Sequence, residues 1–260
     1  MKFLSRNDSV LHYQWMNQGK GRTFIFINSL GTDFRIWDDV IDNLRSHGNI
    51  LLFDKRGHGL SDCLESNNKL EAYAEDVIFL MQHLSIDRGI VIGISVGGMI
   101  AQLLAFHYSD KFEKVVLCDT CYKIGTTESW DNRILQVRNS GLASISSTIV
   151  QRWLSNSFRQ KFPERVAAYR NMLERTSSLG YIQTCLAIRD TDIKQQASQI
   201  KIPTLCVVGD EDLSTTPSEV KSLSDLIPDS IFQVISDSAH LPCTDNPTKL
   251  SKIILDFINQ

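Results

Sequence analysis

The chain lacks the features that would direct it to a nucleic acid, a membrane or an oxidising compartment. Its 27 lysines and arginines stand against 30 aspartates and glutamates, a formal net charge of −3. That balance offers no electrostatic footprint for a polyanion or an anionic lipid surface. No apolar run is long enough to span a bilayer. The opening residues, Met1-Lys2-Phe3-Leu4-Ser5-Arg6-Asn7-Asp8, lack the apolar centre of a signal peptide. Internal repeats and low-complexity tracts are missing as well. The six cysteines (Cys63, Cys118, Cys121, Cys185, Cys206, Cys243) are scattered through a mid-sized chain, which suits reduced thiols in the cytoplasm. Cys118-Asp119-Thr120-Cys121 is a CxxC with no second pair and no histidine at ligand spacing, so no metal or redox centre is expected.

What is present is ordinary globular material with one unusual stretch. The 260 residues are 42% hydrophobic and 22% charged, enough for one α/β domain with an insertion. The stretch is Gly93-Ile94-Ser95-Val96-Gly97, followed by Gly98. A β-branched apolar run, Gly89-Ile90-Val91-Ile92, precedes it and reads as a buried parallel strand. Met99 to Phe106 follows it and reads as a helix with an apolar face. Strand, G-x-S-x-G, helix is the context of a nucleophile elbow, a tight turn that presents a serine at a helix N-terminus.

The rest of the chain alternates in the same manner. Strands are expected at Leu11–Trp15, Thr23–Ile27, Asn49–Phe53, Lys114–Cys118, Thr204–Val208 and Ser230–Ile235, with a turn at Gly19-Lys20-Gly21. Helical spacing marks Phe34–Leu44, Leu70–Leu84 and Pro247–Phe257. This alternation predicts an α/β fold with a doubly wound, mainly parallel sheet of about eight strands. From residue 121 to 199 the alternation stops and the segment is helix-like throughout. Residues 1–120 and 200–260 are therefore expected to form the sheet core, and 121–199 an inserted helical cap.

A serine hydroxyl needs a base, and the base needs an orienting acid. In such sheets the chemistry lies beyond the carboxyl ends of the strands. Two later loops meet that condition in the order Ser, Asp, His. Gly209-Asp210-Glu211-Asp212 follows one strand, and His240 follows the next. Any of the three acids could serve. An oxyanion hole needs two backbone donors, expected at Val96, after the nucleophile, and at Leu30, in the loop after Ile27.

These residues together resemble the α/β-hydrolase family over nearly the whole chain. The marks are the elbow, Asp54-Lys55-Arg56-Gly57-His58-Gly59-Leu60-Ser61, Gly209 to Asp212, and Ser238-Ala239-His240. The family pattern places the acid three residues after Gly209, which selects Asp212. Where many members have His-Gly, this chain has Asn28-Ser29. The run Asn28-Ser29-Leu30-Gly31-Thr32-Asp33 is similar to that of 3-oxoadipate enol-lactonases, as are Ile124 to Arg133, Gly180 to Cys185 and Ala187 to Asp192. The resemblance implies hydrolysis of an enol-lactone ring to 3-oxoadipate in the breakdown of protocatechuate or catechol. It implies no metal and no organic cofactor, a small anionic lactone as the partner, and neither nucleic acid nor membrane. Subunit number is not implied.

The substrate's free carboxylate calls for a cation, and arginine suits a planar carboxylate best. Arg133 stands at helical spacing from Trp130, so both are expected to face the substrate, with Arg189 as the second choice. Arg56 and His58 are expected to brace their own loop. A small-carboxylester or carbon–carbon bond hydrolase with a haloperoxidase-like side activity is the neighbouring reading. A ligand receptor on the same fold is a more remote one.

Overall fold

The computed structural model describes residues 1–6, 9–19, 21–63 and 69–260. Eight strands form one sheet: β1 (Lys2–Arg6), β2 (Ser9–Met16), β3 (Thr23–Ile27), β4 (Asn49–Phe53), β5 (Gly89–Ile94), β6 (Phe112–Cys118), β7 (Thr204–Gly209) and β8 (Ile231–Ile235). Their spatial order is β1-β2-β4-β3-β5-β6-β7-β8. β1, β2 and β4 pair antiparallel, and every pairing from β4 through β8 is parallel. β3, β4, β5 and β7 are buried along their whole length, as their continuous apolar runs require.

β1 was not expected from the sequence. Lys-Phe-Leu-Ser-Arg buries little, because this edge strand pairs on one side only and lies largely in solvent. Lys20, at the centre of the expected Gly19–Gly21 turn, lies outside the described residues. The predicted helix at 34–44 begins as a 3-10 turn, Phe34–Trp37, and continues as α1 (Asp38–Leu44). Asp33 caps it, its side chain accepting from the Arg35 N–H at 3.0 Å. α2 (Leu70–His83) and α3 (Val96–His107) pack on each other, and α3 packs on β5 and β6.

Between β6 and β7 come six helices: α4 (Thr127–Ser140), α5 (Ala143–Trp153), α6 (Asn156–Lys161), α7 (Pro163–Glu174), α8 (Ser178–Arg189) and α9 (Lys194–Ala197). α4 packs on α8 and α5, and α7 packs on α5 and α6. A Thr126–Ser129 capping box starts α4. The buried residues of this segment and of the sheet form one continuous apolar cluster. At about 1.5–3 kcal/mol per fully buried large aliphatic or aromatic side chain, that shared burial holds the helices to the sheet. At one point two backbones meet directly. A Cβ built on Gly180 in α8 would lie 2.5 Å from the Gly57 Cα, in the loop after β4. Only glycine on both sides permits that approach.

The chain then closes with α10 (Pro217–Leu226), α11 (Pro242–Asp245) and α12 (Pro247–Ile258), with α12 packed on α1. No helix among the described residues is long and apolar enough to cross a membrane.

Candidate active site

β5 delivers Ser95 into a turn with φ 57° and ψ −122°, and α3 starts at the next residue. Serine rarely occupies such a backbone conformation, so the surroundings must hold it there. The Ser95 N–H donates to the Cys118 carbonyl at 3.0 Å. The Ser95 carbonyl accepts from Thr120 Oγ1 at 2.7 Å and from the Gly98 N–H at 2.9 Å. The flanking glycines are sterically required. A Cβ on Gly93 would lie 2.1 Å from the Gly97 carbonyl oxygen, and one on Gly97 would lie 2.2 Å from that of Ile27.

Asp212 follows β7 and His240 follows β8. His240 Nδ1 lies 2.8 Å from Asp212 Oδ2, with both side chains buried. The same carboxylate accepts from the Ser214 N–H at 2.7 Å and from Thr215 Oγ1 at 2.8 Å. Burial alone would raise the Asp212 pKa. The charge of His240 and these donors outweigh it and hold the carboxyl below its usual range. An ionised Asp212 fixes the proton on Nδ1, which leaves Nε2 as the basic nitrogen. The two rival acids are exposed and engaged elsewhere. Asp210 accepts from the Ser238 N–H at 3.3 Å, and Glu211 accepts from the Asn156 N–H at 3.0 Å.

The loop after β3 carries Leu30. The N–H groups of Leu30 and Val96 meet no acceptor among the described residues, so both are available to an oxyanion. This loop is braced from below by residues of the loop after β4. The Gly31 N–H donates to His58 Nε2 at 3.0 Å. Lys55 Nζ donates to the Ser29 carbonyl at 2.5 Å. Burial holds both His58 and Lys55 well below their usual pKa, and the Lys55 charge lowers His58 further. His58 braces its own loop as expected, its Nδ1 donating to the Arg56 carbonyl at 3.2 Å, and so ties the two loops together. Lys55 was not expected at all; its one sequence signal is a lysine directly continuing a buried strand. Arg56 does brace its own loop, through two bonds of 2.7 and 2.8 Å to Asp76 on α2.

The helical segment separates the two candidate arginines. Trp130 is buried, its Nε1–H donating to the Ile124 carbonyl at 2.7 Å. The Arg133 guanidinium lies 4.7 Å from the centre of that ring. Its charge also partly offsets the rise that burial imposes on the Tyr181 phenol. Tyr181 in turn packs on the Leu30 loop: a Cβ on Gly31 would lie 3.1 Å from its Cε2. Arg133 pairs with no carboxylate among the described residues. Arg189 does not join this group. Its guanidinium is spent on Asp190 and Asp131, each at 2.7 Å and each exposed.

One buried acid at the site escaped the sequence reading. Asp119 directly follows β6, and its Oδ1 accepts from the Gly209 N–H at 2.9 Å. The strand-end rule that located Asp212 and His240 applies to it equally, but its place inside the CxxC drew attention to the thiols. A cleft of about 940 Å³ lies elsewhere, lined by Asp33, Asp54, Arg165 and Tyr169 among others and by none of Ser95, Asp212 or His240.

With this geometry in hand, the chain was compared with known proteins. The sequence profile of the alpha/beta hydrolase fold matches residues 22–247. 3-Oxoadipate enol-lactonase 2 of Acinetobacter baylyi is 32% identical over 244 residues, covering 94% of this chain and 91% of that protein. 3-Oxoadipate enol-lactonase 1 of the same organism is 30% identical, covering 98% and 95%. The crystal structure of the enol-lactonase from Burkholderia xenovorans superimposes with a TM-score of 0.96 at 30% identity, covering both chains completely. On these grounds the chain belongs to the α/β-hydrolase fold family, as an ester or lactone hydrolase.

Proposed function

We propose that the chain opens the ring of 3-oxoadipate enol-lactone, giving 3-oxoadipate, with Ser95, His240 and Asp212 as its catalytic triad. One observation carries the choice of an anionic lactone over a neutral ester. Arg133, stacked on Trp130 with its charge acting on Tyr181 beside the Leu30 loop, has no carboxylate partner among the described residues. The relatives' names supply the particular lactone.

His240 Nε2 takes the Ser95 hydroxyl proton as Oγ attacks the lactone carbonyl. The Leu30 and Val96 N–H groups hold the resulting oxyanion. Its collapse breaks the ring C–O bond and expels an enolate, which takes the proton from His240 and tautomerises to the ketone. His240 then deprotonates a water, which attacks the acyl-serine; the proton returns to Ser95 and the second carboxylate is freed. Asp212 keeps the imidazole oriented throughout. Arg133 pairs with the substrate's existing carboxylate. A cytoplasmic setting belongs to the same proposal, since no disulfide is formed among the described residues.

The test follows ultraviolet loss of the enol-lactone, generated in situ from its muconolactone precursor, beside hydrolysis of an uncharged aryl ester. The reading expects kcat/KM for the lactone to exceed that for the ester by orders of magnitude. An equal or reversed preference would transfer the chain to the general carboxylesterases.

A further inference from the structure

The bonds around Asp212 leave one neighbour unexplained. Asp119 is completely buried, with its Oδ1 bonded to the Gly209 N–H and its Oδ2 meeting no donor among the described residues. Another carboxylate lies close by. One oxygen of Asp119, one of Asp212 and a ring nitrogen of His240 all lie within 4.8 Å of one another. Two acceptors bond only if one of them brings a proton. Asp212 already accepts from Ser214, Thr215 and His240, all of which favour its ionised form. Asp119 has a single donor and an empty oxygen, so the proton belongs there.

We propose that Asp119 is a positioning residue for the catalytic pair: it is the neutral acid that donates its carboxyl proton to Asp212 and so fixes the carboxylate that orients His240. The proposal rests on the reading of Asp212 as the acid partner of His240. No bond is exchanged in the step. The Asp119 proton stays on Asp119 while the Ser95 proton moves to His240. Charge balance explains why neutrality is needed. An imidazolium facing one carboxylate makes a balanced pair, whereas a second ionised aspartate would hold the proton on His240 and blunt it as a base.

The surroundings agree. Burial and the Asp212 charge push the Asp119 carboxyl well above its usual range, against the pull of the Gly209 N–H. The other titratable groups around it are Cys118 of β6 and Cys243 and Asp245 of α11. Burial raises both thiols, and it pushes Asp245 up to about 7, so none of the three supplies a cation. The backbone at Asp119 has φ 44°, a conformation that aspartate and asparagine tolerate better than other residues. An amide would also keep the acceptor for Gly209 and place an N–H where the carboxyl proton lies.

That equivalence defines the experiment: pH profiles of kcat and KM for Asp119→Ala and Asp119→Asn on an uncharged aryl ester. Asp119→Ala should lower kcat by roughly tenfold or more with KM little changed, the scale of a lost charge-assisted hydrogen bond. Asp119→Asn should recover most of that loss, with the acid limb of kcat/KM within about 0.3 pH units of the parent. A limb moved down by roughly a unit or more would show a negative charge at Asp119 in the parent and overturn the proposal. Parent-level kcat in Asp119→Ala would overturn it as well. Should that variant not fold, the asparagine limb decides. A readout independent of turnover is the low-field proton of His240 Nδ1 in the proton NMR spectrum, recorded in a Ser95→Ala background. It should persist with Asp119→Asn and broaden or shift with Asp119→Ala. Its absence even when Asp119 is intact would overturn the proposal together with the reading of the Asp212–His240 pair, whereas the alanine and asparagine outcomes overturn the proposal alone.

Discussion

The carboxyl edge of the sheet and the helical segment between β6 and β7 solve different problems. At the sheet edge the key groups are fixed from several directions. Ser95 is held through both its N–H and its carbonyl, Asp212 through three partners, and the Leu30 loop through Lys55 and His58. In the helices two arginines of the same chemistry are treated oppositely. Arg189 is neutralised by two aspartates, while Arg133 keeps its charge over an aromatic ring. The edge is built so that one arrangement exists. Arg133 is left without a carboxylate partner among the described residues, and such a charge is what a substrate can select.

The comparison breaks most sharply at the edge. Ser95→Ala should leave a folded protein whose turnover of either substrate falls by at least roughly a thousandfold. Asp212→Asn should cost about three to four orders of magnitude in kcat, because His240 loses its orienting acceptor, while Asp210→Asn should cost little. Damage from Asp210→Asn instead would relocate the acid. A smaller effect sharpens the contrast between the arginines. Arg133→Met should lower kcat/KM for the enol-lactone by about 10- to 150-fold, the worth of a partly buried charged pair, and leave the aryl ester nearly unaffected. Arg189→Met should change neither substrate appreciably. Equal losses on both substrates with Arg133→Met would make that residue structural.

The smallest effect concerns the seam between the two regions. Asp245 Oδ2 accepts from the Ala239 N–H at 2.7 Å, beside His240, and from the Ser155 N–H at 3.0 Å, between α5 and α6. Burial, reinforced by the Glu211 charge, lifts its pKa to about 7. A carboxyl whose pKa is raised by folding contributes most to stability below its ordinary pKa, where both states are protonated. That advantage is lost as pH rises through about 7. Asp245→Asn should therefore flatten the fall of Tm between about pH 4 and 7, with the variant a few degrees above the parent at the upper end. A Tm profile parallel to the parent's would show that Asp245 does not carry the effect.

Much of the edge was readable in the sequence because its signals are local. G-x-S-x-G declares its own backbone, and a buried apolar run ending in Gly209 or near His240 declares where a strand stops. What stayed hidden depends on contacts between distant segments. Nothing near Lys55 in the chain says that its amine reaches the Ser29 carbonyl. Nothing near Asp119 says that a second acid arrives from β7. β1 was missed for another reason: an edge strand in solvent has no need of the apolar pattern by which strands are recognised. In the helices the spacing of Trp130 and Arg133 put both on one face, but spacing could not tell which arginine would find aspartates.

The meeting of Gly57 and Gly180 sets a dimension. Because the two backbones touch, α8 is seated at the smallest distance the chain allows, and there is no side chain to compress or reorient between them. Tyr181, the next residue, rests on the Leu30 loop, and the Arg133 charge acts on its phenol. The seat of α8 against the loop after β4 is thus gauged by the absence of two methyl groups. A chain with alanine at either place would have to lift α8, and with it Tyr181. The glycine pair therefore acts as a fixed spacer between α8 and the loop after β4.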